Sequence, residues 1–310
     1  MTTPISEPLL TVPFVSVPEF RASPTWLDTE DLIQGGTGPQ QDSELYNVLL
    51  RASSWANNCV RQPLQAHHAS DFTQARVDKR GRIFVHPKNI PVRQITGFAY
   101  GSDFKNLTTV TDLTNIWVED QRGIVVANDV MSGIWAGSLQ FGSVPAFDQQ
   151  IYVYYEYIAG YGNAQITANA ASGQSQVTVD NALGFQGPST SFLGSSIGAS
   201  VARIWDPGLE EAVTVQSVTG SVLTLSSNLT NTHAVGTDTA LNVQVSEFPA
   251  EIRQAVVCYA VGLLLRQDTG QDEPFAGSVG PTARMSGRGG LSGGLVSEAE
   301  RLISPYKRVR

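Results

Sequence analysis

Apolar residues recur at helical spacing in two long segments of the chain, residues 43–60 and 249–265. In the first segment they share one face, which predicts an amphipathic helix with one buried side. The second segment starts after Pro249 and is apolar almost all round, so it predicts a helix that is buried on every side. Weaker helical patterns lie near residues 18–20, 28–33 and 296–303.

The period changes to two between residues 83 and 160, where short apolar runs alternate with Gly, Asn and Asp. This spacing predicts β-strands joined by turns. The strongest run, residues 151–158, is apolar on both faces, with Tyr152 and Tyr154 on the face opposite to Val153. Such a strand needs cover on both sides, from this chain or from a neighbouring one.

Residues 161–247 are rich in Ser, Thr, Ala, Gly and Asn and contain four further strand-like runs. They predict a small all-β module, a sandwich or a partial barrel. The expected class is therefore α+β, with a small helical bundle as core, a β-strand excursion and an inserted all-β module. The expected boundaries are an N-terminal arm (1–42), the helical core (43–82 and 248–310), a β-rich region (83–160) and the inserted module (161–247).

Charge is distributed unevenly over the 310 residues. The net charge is −8, but residues 284–310 carry +4, which leaves −12 on the rest. An acidic body does not favour nucleic-acid binding, whereas a basic tail favours docking to an acidic protein surface or to the body of another copy. No targeting segment is expected, because four prolines interrupt the first 18 residues, and the longest uncharged apolar run, residues 255–265, is too short to span a membrane. The two cysteines, Cys59 and Cys258, indicate no disulfide framework.

Candidate catalytic and metal-binding patterns are weak. Residues 194–198 match the G-x-S-x-G pattern around Ser196, but a strand rather than a helix is predicted to follow. His67 and His68 are adjacent and cannot share a helix face as a zinc pair would, while His86 and His233 have no nearby ligands in the sequence. We interpret these histidines as surface or turn residues. Asp206, Glu210 and Glu211 flank an Asp-Pro-Gly turn and are interpreted as turn and solvating residues. No enzymatic activity, metal or cofactor is expected.

Five short motifs occur in a characteristic order: "RASSW" at residues 51–55, "RGR" at 80–82, "AGY" at 159–161, "PAEIRQA" at 249–255 and "PYKRVR" at 305–310. This order resembles the head-to-tail connector, or adaptor, proteins of long-tailed bacteriophages. The resemblance covers residues 43–160 and 248–310. The chain departs from it at residues 162–247, since in shorter members the "AGY" strand leads almost directly into the second helix.

The resemblance implies a structural virion protein, assembled in the host cytoplasm and placed in the neck between head and tail. About twelve copies would form a ring below the portal, around a channel through which DNA passes without specific binding. The implied partners are the portal protein, neighbouring copies and a downstream neck, stopper or tail protein, with no membrane. The resemblance implies that the tail docks on the portal through Arg301, Tyr306, Lys307, Arg308 and Arg310. Candidate residues for a subunit interface are Tyr152, Tyr154, Val257 and Val261.

Three other interpretations remain open. The chain could be a different component of the same machine, such as a stopper, tail-completion or baseplate protein. Alternatively, the module at residues 161–247 could bind carbohydrate on a host surface, with Phe192 and Trp205 stacking on sugars. A serine hydrolase built on Ser196 is the third.

Overall fold

The computed structural model describes residues 10–25, 27–76, 82–113, 116–119, 123–126, 150–190, 196–236, 238–269 and 291–307. The chain has an α+β fold that contains a β module, so this part of the sequence prediction is confirmed. Three hydrophobic cores hold it together: one among the helices, one in the β-rich region and one inside the module.

Two helices form the N-terminal part of the helical core. Helix α1 (Val17–Ala22) begins where the Ser16 hydroxyl accepts a hydrogen bond from the Glu19 N–H. Helix α2 (Gly38–Val60) starts five residues earlier than residue 43, because the Gln40 side chain caps the Thr37 N–H and Pro39 suits the first turn. The helix expected at residues 28–33 is absent; Gln41 instead holds this segment through hydrogen bonds with the Ile33 N–H and C=O, both 2.8 Å.

Helices α3 (Ala250–Thr269) and α4 (Leu291–Ile303) complete the helical core. On one side of α3, Tyr259 stacks on Trp55 of α2 with ring centroids 4.1 Å apart, and α4 packs against another side. Val257 and Val261, the candidate subunit-interface residues of this helix, are each 6% exposed and belong to this core. The chain itself therefore provides the burial that the all-round apolar pattern of α3 requires.

The β-rich region has two antiparallel sheets that share one core. The larger has the order β1-β7-β3-β4, and the smaller has the order β2-β6-β5. The strand bounds are β1 (His67–Arg76), β2 (Ile83–Val85), β3 (Val92–Asp103), β4 (Asn106–Thr109), β5 (Ile116–Glu119), β6 (Gly123–Val126) and β7 (Gln150–Ala159).

Strand β1 lies within residues 43–82, which the sequence assigns to the helical core. Its ten residues pair with the whole of β7, from His67 opposite Ala159 to Arg76 opposite Gln150. Its buried positions include His67, Asp71 and Ala75. Buried and more exposed positions thus alternate along the strand, although apolar and polar residues do not. Pairing with β7 accounts for this strand, whereas its own sequence pattern does not.

The module is a curved, six-stranded antiparallel sheet, a half-barrel with the order β8-β15-β12-β13-β14-β9, beside a small β10-β11 hairpin. Its first strand, β8 (Asn163–Gln165), pairs with its last, β15 (Gln244–Ser246), and the Glu247 N–H donates to the Gly162 C=O at 2.9 Å. The module therefore leaves and rejoins the rest of the chain at one place. The remaining strands are β9 (Gln176–Thr178), β10 (Ser189–Thr190), β11 (Ser196–Ile197), β12 (Val201–Trp205), β13 (Glu211–Thr219) and β14 (Val222–Leu225).

Candidate functional site

A pocket of about 340 Å³ lies where α1, α3 and the turn after β12 meet. This volume is at the lower end of the range for small-molecule and peptide side-chain sites. The lining comes from three distant parts of the sequence: Glu19, Ala22, Ser23, Pro24, Trp205, Pro207, Glu210, Ala250, Arg253, Gln254 and Val257.

Arg253 is the only basic residue of this lining and is only 2% exposed. Its Nε donates to Glu19 Oε1 at 3.0 Å, and its Nη2 pairs with Glu19 Oε2. Its guanidinium carbon lies 4.4 Å from the centroid of the Trp205 ring, which is a cation–π contact. Arg253 Nη1 and Trp205 Nε1 are buried donors without an acceptor in the part of the chain that the structure describes.

The lining has a net negative charge. Glu19 compensates Arg253, while Glu210 is exposed and has no ion-pair partner among the described residues. The pocket therefore combines one uncompensated carboxylate at its rim with two buried N–H donors that lack acceptors.

A buried histidine fixes the turn that forms one wall of the pocket. His233 is fully buried; its Nδ1 lies 2.9 Å from Asp206 Oδ2 and its Nε2 lies 2.7 Å from Glu211 Oε1. Each ring nitrogen of His233 therefore lies within hydrogen-bond distance of a carboxylate. His233 thus holds both ends of the turn that carries Pro207 and Glu210.

The sequence interpretation of this cluster was wrong. His233 is expected at the surface or in a turn, and Asp206 and Glu211 are expected to be turn and solvating residues, but His233 is fully buried and lies between these two partly buried carboxylates. His67 is also buried, between the Gln65 C=O and the Asn89 side-chain amide. Glu211 and Asp206 lie 22 and 27 residues before His233 in the sequence, so no local sequence pattern indicates these contacts.

The pKa of Glu211 is lowered from 4.5 to about 2. Burial acts to raise this pKa, but hydrogen bonds outweigh it: Glu211 accepts from the Thr230 hydroxyl at 2.6 Å, the Thr230 N–H at 2.9 Å and the Asn231 N–H at 3.1 Å, besides His233. A carboxylate whose pKa falls on folding stabilises the fold above its unfolded pKa.

We expect Glu211→Gln to lower the free energy of unfolding at pH 7, and the loss to shrink as the pH falls from about 4.5 towards 2, where wild-type Glu211 becomes protonated. Urea denaturation at several pH values measures this difference. Glu210→Gln is the matched control, since Glu210 is exposed; its effect should stay within about 0.5 kcal/mol at every pH. A Glu211→Gln difference that does not vary with pH would contradict this role.

The described part of the C-terminal tail is anchored to α3. The Tyr306 hydroxyl donates to Glu251 Oε2 at 3.3 Å, and burial and this carboxylate raise its pKa to about 12. Arg301 is exposed and its Nη2 pairs with Glu298 at 2.6 Å. Lys307 is also exposed, whereas Arg308 and Arg310 lie outside the described residues.

Tyr152 and Tyr154 lie on the outer face of the larger sheet of the β-rich region. The Tyr152 ring stacks on Phe72 at 5.8 Å and meets Phe104 edge-on at 6.1 Å, while the Tyr154 hydroxyl donates to Glu156. Phe72 and Phe104 are 46% and 56% exposed, so described residues cover this face only in part. It remains a candidate interface.

The other sequence candidates are Ser196, Trp205 and Phe192. Ser196 lies in β11, which pairs with β10 and precedes strand β12, so the strand-to-helix turn of a nucleophile elbow is missing there. The Trp205 ring, a candidate for sugar stacking, contacts the guanidinium groups of Arg203 and Arg253. Phe192 lies outside the described residues.

No family model and no curated protein matches the chain. Among the described residues, no group of three or more His, Cys, Asp and Glu side chains could hold a metal ion. None of the described helices has the length and apolar character needed to cross a membrane.

Proposed function

We propose that the chain is a structural head-to-tail adaptor of a long-tailed bacteriophage. In this proposal about twelve copies form a ring between the portal and a downstream stopper or tail protein, and DNA passes through the centre. The protein would act in the virion neck without enzymatic activity. An acidic body suits a channel through which DNA slides, because like charges prevent it from sticking.

The observation that carries the proposal is the way in which the adaptor-like motifs come together. Trp55 of "RASSW" lies on α2 and stacks on Tyr259 of α3, the helix that begins with "PAEIRQA". Gly160 of "AGY" accepts a hydrogen bond from Arg93, which is paired with Glu247 just before α3. Segments separated by up to about 200 residues thus form one scaffold.

The part that departs from the resemblance leaves and rejoins this scaffold at one place. Strands β8 and β15 pair at its base, and the flanking residues Gly162 and Glu247 are hydrogen-bonded to each other. A module inserted at one point leaves the scaffold of a shorter adaptor intact, which is the arrangement that the sequence resemblance implies.

In this proposal the basic tail docks on an acidic surface of the portal. Arg301 and Lys307 are exposed, and Tyr306 anchors the start of the tail to Glu251. Arginine suits carboxylates on a partner, and tyrosine contributes strongly to interfaces.

Charge removal from the tail tests this role. We expect the triple substitution Lys307→Gln, Arg308→Gln, Arg310→Gln to weaken binding to the purified portal of the same virus about tenfold or more, because each interfacial ion pair adds up to about 1 kcal/mol. Biolayer interferometry measures the dissociation constant. The control removes three exposed positive charges elsewhere, with Arg51→Gln, Lys105→Gln and Arg203→Gln. Equal weakening by both triple variants would contradict a specific docking tail.

A further inference from the structure

Within the described ranges, the pocket beside Arg253 has unpaired hydrogen-bond donors and an unpaired carboxylate, which favour two different kinds of ligand group. Arg253 Nη1 and Trp205 Nε1 are buried and lack an acceptor among the described residues, which costs free energy unless a partner or water satisfies them. Glu210, at the rim, is a carboxylate without a cation in the described part of the chain. A matching ligand therefore offers hydrogen-bond acceptors together with a positive charge.

A basic peptide offers both groups at once. Its backbone carbonyls can accept from the two buried donors, and a Lys or Arg side chain can pair with Glu210. Pro24, Pro207 and Trp205 supply apolar walls for the aliphatic part of such a side chain. A bare anion fits poorly, since the lining carries two carboxylates and one guanidinium.

We propose that this pocket binds the end of the basic tail, residues 307–310, of a second copy of the chain. The tail has the required chemistry, because residues 301–310 hold four basic residues and no acidic one, while the body that carries the pocket is acidic. Charge complementarity of this kind favours the encounter of the two surfaces.

The described part of the tail of the same copy lies on a different side of α3 from this pocket. Successive residues of an α-helix are about 100° apart, so Tyr259, which faces α2, lies roughly opposite to the pocket residues Ala250 and Val257. The short 3-10 helix at Ser304–Tyr306, which starts the tail, contacts α2. The described tail thus ends on the α2 side of α3, so a second copy is the proposed source of the tail that this pocket binds.

This contact goes beyond the proposed adaptor function and does not require the portal. In the free protein the tail of one copy occupies the pocket of another, and the portal would have to displace the tail from that pocket. Failure of one proposal is therefore distinguishable from failure of the other, since peptide binding is measured without portal and portal docking is measured with it.

The test is fluorescence anisotropy with the full chain and a labelled peptide of sequence SPYKRVR, corresponding to residues 304–310. We expect saturable binding that Glu210→Gln weakens about fivefold, the effect of losing one partly exposed ion pair. Glu156→Gln, which removes an exposed carboxylate on the larger sheet of the β-rich region, should leave binding unchanged. The peptide SPYQQVQ should bind at least fivefold more weakly than SPYKRVR.

Two results would overturn the proposal. One is the absence of saturable binding up to about 1 mM peptide, an affinity too weak for a specific contact. The other is equal weakening by Glu210→Gln and Glu156→Gln, which would mean that the peptide responds to overall charge and not to the pocket. Circular dichroism of both variants verifies that they fold as the wild type does.

Discussion

Replacing Glu247 with alanine is expected to lower the free energy of unfolding by about 3–5 kcal/mol, the usual cost of leaving a buried charge without its partner. Glu247 Oε2 lies 2.9 Å from Arg93 Nη2, and the two side chains are 3% and 9% exposed. The same oxygen accepts from the Gly162 N–H at 2.8 Å, and Arg93 Nε donates to the Gly160 C=O at 3.0 Å. The substitution leaves the positive charge of Arg93 without its carboxylate and the Gly162 N–H without its acceptor.

The location of the Arg93–Glu247 pair explains why its loss should destabilise the fold. Arg93 lies on β3, and Glu247 lies between the last strand of the module and α3. The pair therefore joins the sheet, the module and the helical core at one point. Burial raises the pKa of Glu247, while Arg93 and the hydrogen bonds from Gly162 and Ser200 act against that rise.

Urea denaturation of the Glu247→Ala variant measures the loss. The matched control is Glu44→Ala, which breaks the exposed Arg51–Glu44 pair and should cost less than about 1 kcal/mol. The double variant Arg93→Met, Glu247→Leu should recover most of the stability, because it leaves no buried charge unpaired. A Glu247→Ala loss no larger than that of Glu44→Ala would contradict the role of the pair as an anchor.

Gly160→Ala is expected to destabilise the fold by about 3 kcal/mol or more, since it combines backbone strain with a collision between backbone atoms. Gly160 has φ +103°, and an added Cβ would lie 2.5 Å from the Gln65 carbonyl oxygen and 2.7 Å from its carbon. The Gly160 N–H donates to the Pro91 C=O at 2.9 Å, so the residue cannot shift without loss on its other side.

Gly173→Ala separates the two contributions. Gly173 also has a positive φ, +85°, but an added Cβ would meet no atom within 4 Å. Its cost should therefore be the backbone strain alone, about 1–2 kcal/mol. Thermal or urea denaturation of both variants gives the comparison, and equal destabilisation would show that the close approach of Gln65 is not what requires glycine at position 160.

The sequence predicted the elements that carry their own periodicity. Helix α2, helix α3 and strand β7 each have enough apolar residues at a regular spacing to be identified without knowledge of their neighbours. Strands β1, β8 and β15 were not predicted, because polar residues such as Asp71, Asn163 and Gln244 occupy their buried positions and find partners elsewhere in the fold. Tertiary pairing, rather than local preference, determines these strands.

The candidate pocket could not be predicted from the sequence for a similar reason. Its walls come from residues 19–24, 205–210 and 250–257, and nothing local to any of them indicates the other two. Arg253 belongs to the "PAEIRQA" motif, but its partner Glu19 lies 234 residues away, so their pairing depends on the tertiary fold. The buried network around His233 was hidden in the same way.

The most direct test of the central claim is electron microscopy of the purified chain with and without the portal of the same virus. The adaptor proposal predicts rings of about twelve copies, coaxial with the portal, that the tail variant Lys307→Gln, Arg308→Gln, Arg310→Gln fails to form. A chain that stays monomeric with portal present, or that forms rings only with tail proteins, would contradict an adaptor and favour another component of the neck or tail.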